Sequence, residues 1–172
     1  HFVFPPYKAA DIYQLSNQYL PHDFKGMVKA ILEVEAPLSE ELLLKRIVWC
    51  FGREKVTKVV LHAYEQQMSG YQQYGIIRKN GFLYLANGKK IQFRKSGDIE
   101  REIKQIAPEE LAAGMLEILK QNVSADKNGL YHSLAIQCGV TRVGKAINEA
   151  MDSALHMLDN SISIDGEQIT LK

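Results

Sequence analysis

The sequence predicts a mainly α chain with small β hairpins, an α+β fold made of tandem winged-helix (helix-turn-helix) repeats. Three observations predict it. Residues 24–95 and 108–172 each carry three apolar stretches at helical spacing, followed by two short strand-like runs. In each half the second helix runs out at a Cys and a Gly, after which an Arg and a Lys open the third. These stretches are Cys50-Phe51-Gly52-Arg53-Glu54-Lys55 and Cys138-Gly139-Val140-Thr141-Arg142-Val143-Gly144-Lys145. Each half also ends on a two-residue hairpin signal, Asn80-Gly81 and Asp165-Gly166. Such a doubling sets the architecture before any residue is given a role.

Residues 1–23 read as an N-terminal arm. Phe2, Phe4, Pro5, Pro6 and Tyr7 are expected to be extended, since proline biases its predecessor away from helix. The aromatics are expected to pack on the body. Asp11 caps a short helix bearing Ile12, Leu15 and Tyr19, and Pro21 stops it. In the first repeat, 24–95, Met27, Val28, Ile31, Leu32 and Val34 mark the first helix. Ser39 with Glu40 and Glu41 opens the second, a hydroxyl cap followed by acids where the helix dipole favours them. Leu42, Leu43, Ile47 and Val48 form its buried side, with Lys45 and Arg46 facing out. The third helix is expected from about Arg53 to Met68, with Val56, Val59, Val60, Ala63 and Tyr64 inward and Lys55, Lys58 and His62 outward. Strands over 76–79 and 82–85 flank Asn80-Gly81, and a further strand is expected over Ile91–Arg94, making a basic wing of Arg78, Lys79, Lys89, Lys90, Arg94 and Lys95.

Residues 96–107 read as a connector, with Ser96-Gly97-Asp98 as its hinge. Pro108-Glu109-Glu110 starts the second repeat, 108–172, with proline in the first helical turn. Leu111, Met115, Leu116 and Leu119 line its first helix, Leu130, Leu134 and Ile136 its second, and Ile147, Met151, Ala154, Leu155 and Leu158 its third. Ile162-Ser163-Ile164 and Gln168–Leu171 form the closing pair.

Composition narrows the function classes. The chain has 172 residues, 46% hydrophobic and 24% charged, and a formal net charge of +1. No apolar run reaches the roughly eighteen residues that span a bilayer. Cys50 and Cys138 sit at matching places inside apolar helices and read as buried free thiols, which with the absence of a charged-then-apolar leader points to a reducing cytoplasm. The chain opens on His1 and is expected to be a piece of a longer protein.

Catalytic chemistry finds little support. Gly139–Ala146 follows the phosphate-loop spacing until Ala146, where a hydroxyl is needed for magnesium, and it follows a helix instead of a buried strand. The histidines are scattered and no C-x-x-C spacing exists, so neither metal nor cofactor is expected. The paired acids at 40–41 and 109–110 are helix starts. The fragment itself is expected not to be an enzyme.

Binding remains. The first repeat offers Arg53, Lys55 and Lys58 at its third helix and Arg78, Lys79, Lys89 and Lys90 in a basic wing; the second offers Arg142 and Lys145. These are the candidate nucleic-acid contacts, directed mostly at phosphates. The second wing carries Asp165 and Glu167 and is not basic.

The stretch Ile31–Ile47, with Val34-Glu35-Ala36-Pro37-Leu38 and Leu43-Leu44-Lys45-Arg46, resembles the opening signature of a domain-of-unknown-function family. Gly81-Phe82-Leu83-Tyr84, Phe93-Arg94-Lys95, Ile106–Leu111 and Cys138–Lys145 extend the resemblance over residues 24–171. The chain departs from the pattern at Lys55, where the glycine supplied by Gly144 in the second repeat would be expected. Members of that family form the C-terminal domain of bacterial superfamily I DNA/RNA helicase-like proteins, often beside a Vsr-like endonuclease domain. The resemblance implies a non-catalytic accessory domain of such a parent, which would carry any ATP-dependent helicase or nuclease activity. DNA or RNA and the parent's other domains are then the expected partners. The alternative is a protein-interaction or dimerisation module, suggested by the near-neutral charge and the aromatic arm.

Overall fold

A computed structural model describes residues 2–172; His1, expected as the leftover start of a larger chain, lies outside the described residues. The fold is α+β, with seven α-helices and two small antiparallel three-stranded sheets among the described residues. Two compact units divide the described residues: 8–89, and 90–172 together with 2–7.

In the 8–89 unit, Asp11 caps α1 (Ile12–Tyr19) and Asp23 caps α2 (Phe24–Glu35), each carboxylate accepting an N–H of the first turn. Then come β1 (Leu38–Ser39) and α3 (Glu40–Cys50), which Ser39 caps through the Leu42 N–H. Helix α4 (Lys58–Gln67) is capped by Thr57, and β2 (Ile76–Lys79) and β3 (Phe82–Leu85) close the unit. Strand β3 lies between β1 and β2, with Leu38 opposite Leu83 and Arg78 also opposite Leu83. The core gathers Met27, Val28, Ile31, Leu32, Leu38, Leu43, Met68, Ile76 and Leu83, all nearly or fully buried.

The 90–172 unit follows the same order: α5 (Pro108–Asn122), β4 (Ser124–Asp126), α6 (Lys127–Gln137), α7 (Lys145–His156), β5 (Ile162–Asp165) and β6 (Gln168–Leu171). Its sheet repeats the topology, with β6 between β4 and β5. Met115, Leu119, Leu134, Met151, Ala154 and Ile169 are fully buried at its centre.

Several expectations are corrected. The short strands β1 and β4 were not anticipated, because two or three residues are too few to show a period of two. The third helix of the first half begins at Lys58, not Arg53. Gly52 ends α3 in the left-handed region, at φ +70, and Arg53 N–H still bonds back to Val48. The Thr57 hydroxyl then sets the new start by accepting the Val60 N–H. Its inward stripe is also narrower than expected: of α4, only Tyr64 is buried, and Val59 and Ala63 are exposed. Arg46 does not simply face out. It pairs with Glu35, which is fully buried, and donates to Ala10 O at 3.0 Å.

Residues 91–94 form no strand. Phe93 turns into the core of the second unit, its ring 4.8 Å from that of Phe4. Lys95 instead bridges the arm: its N–H donates to Pro5 O and its carbonyl accepts from Tyr7 N–H, both at 2.9 Å. The compact units therefore divide at Lys89–Lys90, whereas the sequence placed the first boundary after Lys95. Nor does Gly97 serve as a hinge. Asp98 N–H bonds to Tyr7 O at 2.9 Å, and a Cβ on Gly97 would collide with the Tyr7 backbone. Gly97→Ala is expected to lower stability by about 1–3 kcal/mol, read as a drop in the urea midpoint.

Beneath that contact lies the most deeply buried charge of the second unit. Glu110 is fully buried and accepts from Arg94 Nη2 at 2.8 Å and from Arg101 Nη1 and Nη2 at 2.9 Å. The Tyr7 ring packs against both guanidiniums, at 4.5 Å and 4.4 Å. Arg94, expected as part of a basic wing, is thus bound inside the unit. Burial alone would raise the Glu110 pKa, but the hydrogen bonds from Arg94 and Arg101 outweigh it and hold the carboxyl below its ordinary 4.5.

Candidate nucleic-acid interface

The turn between α3 and α4 gathers three cations without an ion-pair partner among the described residues. Arg53 and Lys55 are exposed in the irregular stretch 53–57, and Lys58 is the exposed first residue of α4. Arg53 shares an open hollow of about 580 Å³ with Trp49, Gly52 and Glu54. A neighbouring groove of about 610 Å³ is lined by Lys55 and Lys45, by the acids Glu41 and Glu54, and by Leu44, Val56 and Leu61.

The cations expected in a basic wing are placed differently from their sequence reading. Arg78 is consumed inside the unit. Its Nε lies 2.8 Å and 3.0 Å from the Glu40 oxygens, its outer nitrogens pair with Glu65, and its guanidinium lies 5.6 Å from the Tyr64 ring centre. Hydrogen bonds that it donates to Glu65 and then to Glu40 hold its pKa well above the ordinary guanidinium value. Glu65 is correspondingly lowered, mainly by its hydrogen bond from Arg78. Tyr64 donates to Glu40 at 2.6 Å, and burial followed by that bond raises its pKa. Lys79 lies 5.4 Å from the Tyr84 ring centre. Lys89 and Lys90 are exposed, but they lie beyond β3, on either side of the boundary between the units.

This arrangement gives Arg78 a structural job that its residue type did not reveal. Arg78→Ala strands the partly buried Glu40 carboxylate and is expected to cost about 1–3 kcal/mol. Any phosphate affinity of the unit should stay within twofold, measured by anisotropy on the same preparation. The second unit solves the same junction with one charge fewer. Lys127, at the start of α6, pairs directly with Asp152 of α7 at 3.3 Å, and Tyr131 donates to Asp152 at 2.6 Å. That Tyr131 bond is the main cause of a lowered Asp152 pKa.

The corner of the second unit is poorer. Arg142 is exposed, and Lys145 opens α7 with Glu149 at 3.9 Å. Its cap positions also revise the matching of the halves. Gly139 takes the left-handed turn of Gly52, at φ +81, and Gly144 is the N-cap of α7 as Thr57 is of α4. The counterpart of Gly144 is therefore Thr57, not Lys55. Likewise Phe51 and Cys138 are the matching C-caps, so the two cysteines are one place out of step. Cys138 is buried, its thiol pushed up to about 12 by burial; Cys50 is only partly buried. The stretch 139–144 joins two helices, the setting that argued against a phosphate loop.

Charge separates the two units. Residues 8–89 hold eleven Lys and Arg against eight Asp and Glu, and the remainder ten against twelve. Several acids of the first unit are engaged internally: Glu35 by Arg46, Glu40 and Glu65 by Arg78, Glu41 by Lys45, and Asp11 and Asp23 as helix caps.

Sequence reasoning missed the apolar part of this corner. Trp49 is 69% exposed and Phe51 58%, and Val59 and Leu61 are exposed nearby in the sequence. Trp49 falls one place beyond the buried Val48 on α3, a signal that the helical stripe already contained. Among the described residues no group of His, Cys, Asp and Glu could hold a metal ion, and no helix is long and apolar enough to cross a membrane. Comparison of the chain with protein-family models, curated proteins and solved structures finds no match.

Proposed function

We propose that the chain is a non-catalytic accessory module of a larger helicase- or nuclease-like protein, and that it holds nucleic acid through a winged helix formed by residues 8–89. The order helix–strand–helix–helix–hairpin, with β1 paired to the second hairpin strand, supports the winged-helix reading. In that plan the third helix and the turn before it face the nucleic acid. The observation that carries the reading is the corner itself. Arg53, Lys55 and Lys58 are exposed and unpaired, while the unit's acids are largely tied up elsewhere. The contact set is thus narrower than the basic residues of the sequence suggest, because Arg78 and Arg94 are held in internal ion pairs.

The test is fluorescence anisotropy of labelled DNA and RNA, single and double stranded, titrated at low and moderate salt. Salt-sensitive binding that weakens in an Arg53/Lys55/Lys58→Ala variant supports the reading. No binding to any of them at low salt overturns it. A second reading, a protein-interaction or dimerisation module, draws on exposed Trp49, Phe51 and Val59. A dimer by light scattering that dissociates in Trp49→Ala would favour it.

A further inference from the structure

We propose that the α3–α4 corner takes a single strand, with bases stacked on Trp49 and Phe51 and phosphates on Arg53, Lys55 and Lys58. The inference rests on the nucleic-acid reading above and names its ligand class.

Two aromatic rings at the end of one helix, 69% and 58% exposed, keep apolar surface in water that neither core uses. They bracket Cys50 and stand directly before the free cations. Trp49 lines the same hollow as Arg53. Glu54 is the one acid within the 49–58 stretch, against three cations. Glu41, which faces the adjoining groove, is neutralised by Lys45 at 3.0 Å. Exposed rings set among cations are the equipment of single-strand binding, because every unpaired base offers a face to stack on. A duplex keeps those faces stacked inside. A protein partner would suit the rings, but the centres of protein interfaces are depleted in lysine, and the exposed Lys55 and Lys58 follow the rings within a few residues of chain. The second unit lacks the device: the positions matching Trp49 and Phe51 hold Ile136 and Cys138, and Cys138 is buried.

Trp49 is the only tryptophan of the chain, so its emission reports on this corner alone. The experiment titrates the intact chain with an oligothymidylate of about fifteen nucleotides and with a duplex of equal length, following Trp49 emission and, in parallel, anisotropy of the labelled nucleic acid. The expected result is at least twofold quenching by the single strand, little by the duplex, and tighter binding of the single strand. Trp49→Ala should weaken single-strand binding roughly 5- to 100-fold, with Trp49→Phe restoring much of it. Circular dichroism establishes that both variants fold. Single-strand binding that leaves Trp49 emission unchanged, or that Trp49→Ala does not weaken, overturns the stacking site. Preference for duplex overturns it too and leaves the nucleic-acid reading standing. Failure of both nucleic acids to bind overturns both.

Discussion

Glu110→Ala is expected to be the most damaging single substitution in the chain, lowering stability by about 3–5 kcal/mol. The carboxylate is fully buried and satisfies two guanidiniums, Arg94 and Arg101, themselves mostly buried. Removing it takes away the carboxylate that both guanidiniums share beside the Tyr7 ring and leaves two largely desolvated positive charges close together. Urea unfolding should show a lower midpoint, and the loss should be largest in probes of residues 90–172. A variant as stable as the parent would mean that the cluster is dispensable. The pH dependence has a fixed sign. The folded carboxyl titrates below its ordinary 4.5, so its contribution is present above that value and is lost as the pH falls through the lower, folded value. Glu110→Gln should therefore remove part of the wild-type loss of stability below about pH 4.5, starting from a lower plateau.

Replacing Arg53, Lys55 and Lys58 together with alanine is expected to have the largest effect on binding. Each phosphate contact contributes about 0.7–0.9 to the slope of log affinity against log salt. Losing three should flatten that slope by about 2–3 and weaken binding on the order of tenfold to a hundredfold at low salt. Stability should barely move, since all three side chains are exposed and unpaired. Arg142→Ala with Lys145→Ala serves as the comparison and should cost much less, because that corner has one unpaired cation and a lysine already beside Glu149. An unchanged slope in the triple variant would move the interface off this corner.

Much of the fold was legible because the helices announce themselves by caps and stripes. Ser39, Asp11, Pro108 and the glycines at 52 and 139 stand where the elements start or stop. Asn80-Gly81 and Asp165-Gly166 did make the two hairpin turns. What was not legible depends on contacts distant in sequence. Phe93 looked like a strand residue because it is apolar and flanked by polar neighbours, yet its partner is Phe4, far back in the chain. Arg78 and Arg94 looked like surface charge, because sequence shows the sign of a residue and not the carboxylate waiting for it. Arg53, Lys55 and Lys58 were legible as exposed cations, but the exposed Trp49, which shares a hollow with Arg53, was hidden in an apolar helix.

The docking of residues 2–7 against Phe93, Lys95 and Gly97 makes one unit discontinuous and the other an insertion within it. During synthesis the arm emerges first and its partners nearly a hundred residues later. Residues 8–89 form one continuous compact unit, which can close while the ribosome is still extending the chain. The arm's seat, with Phe4 on Phe93 and Tyr7 on Arg94 and Arg101, exists only once those later residues have been made. The head of the chain thus completes its tail, so removing the first seven residues should leave the early-folding unit intact and loosen the one made last.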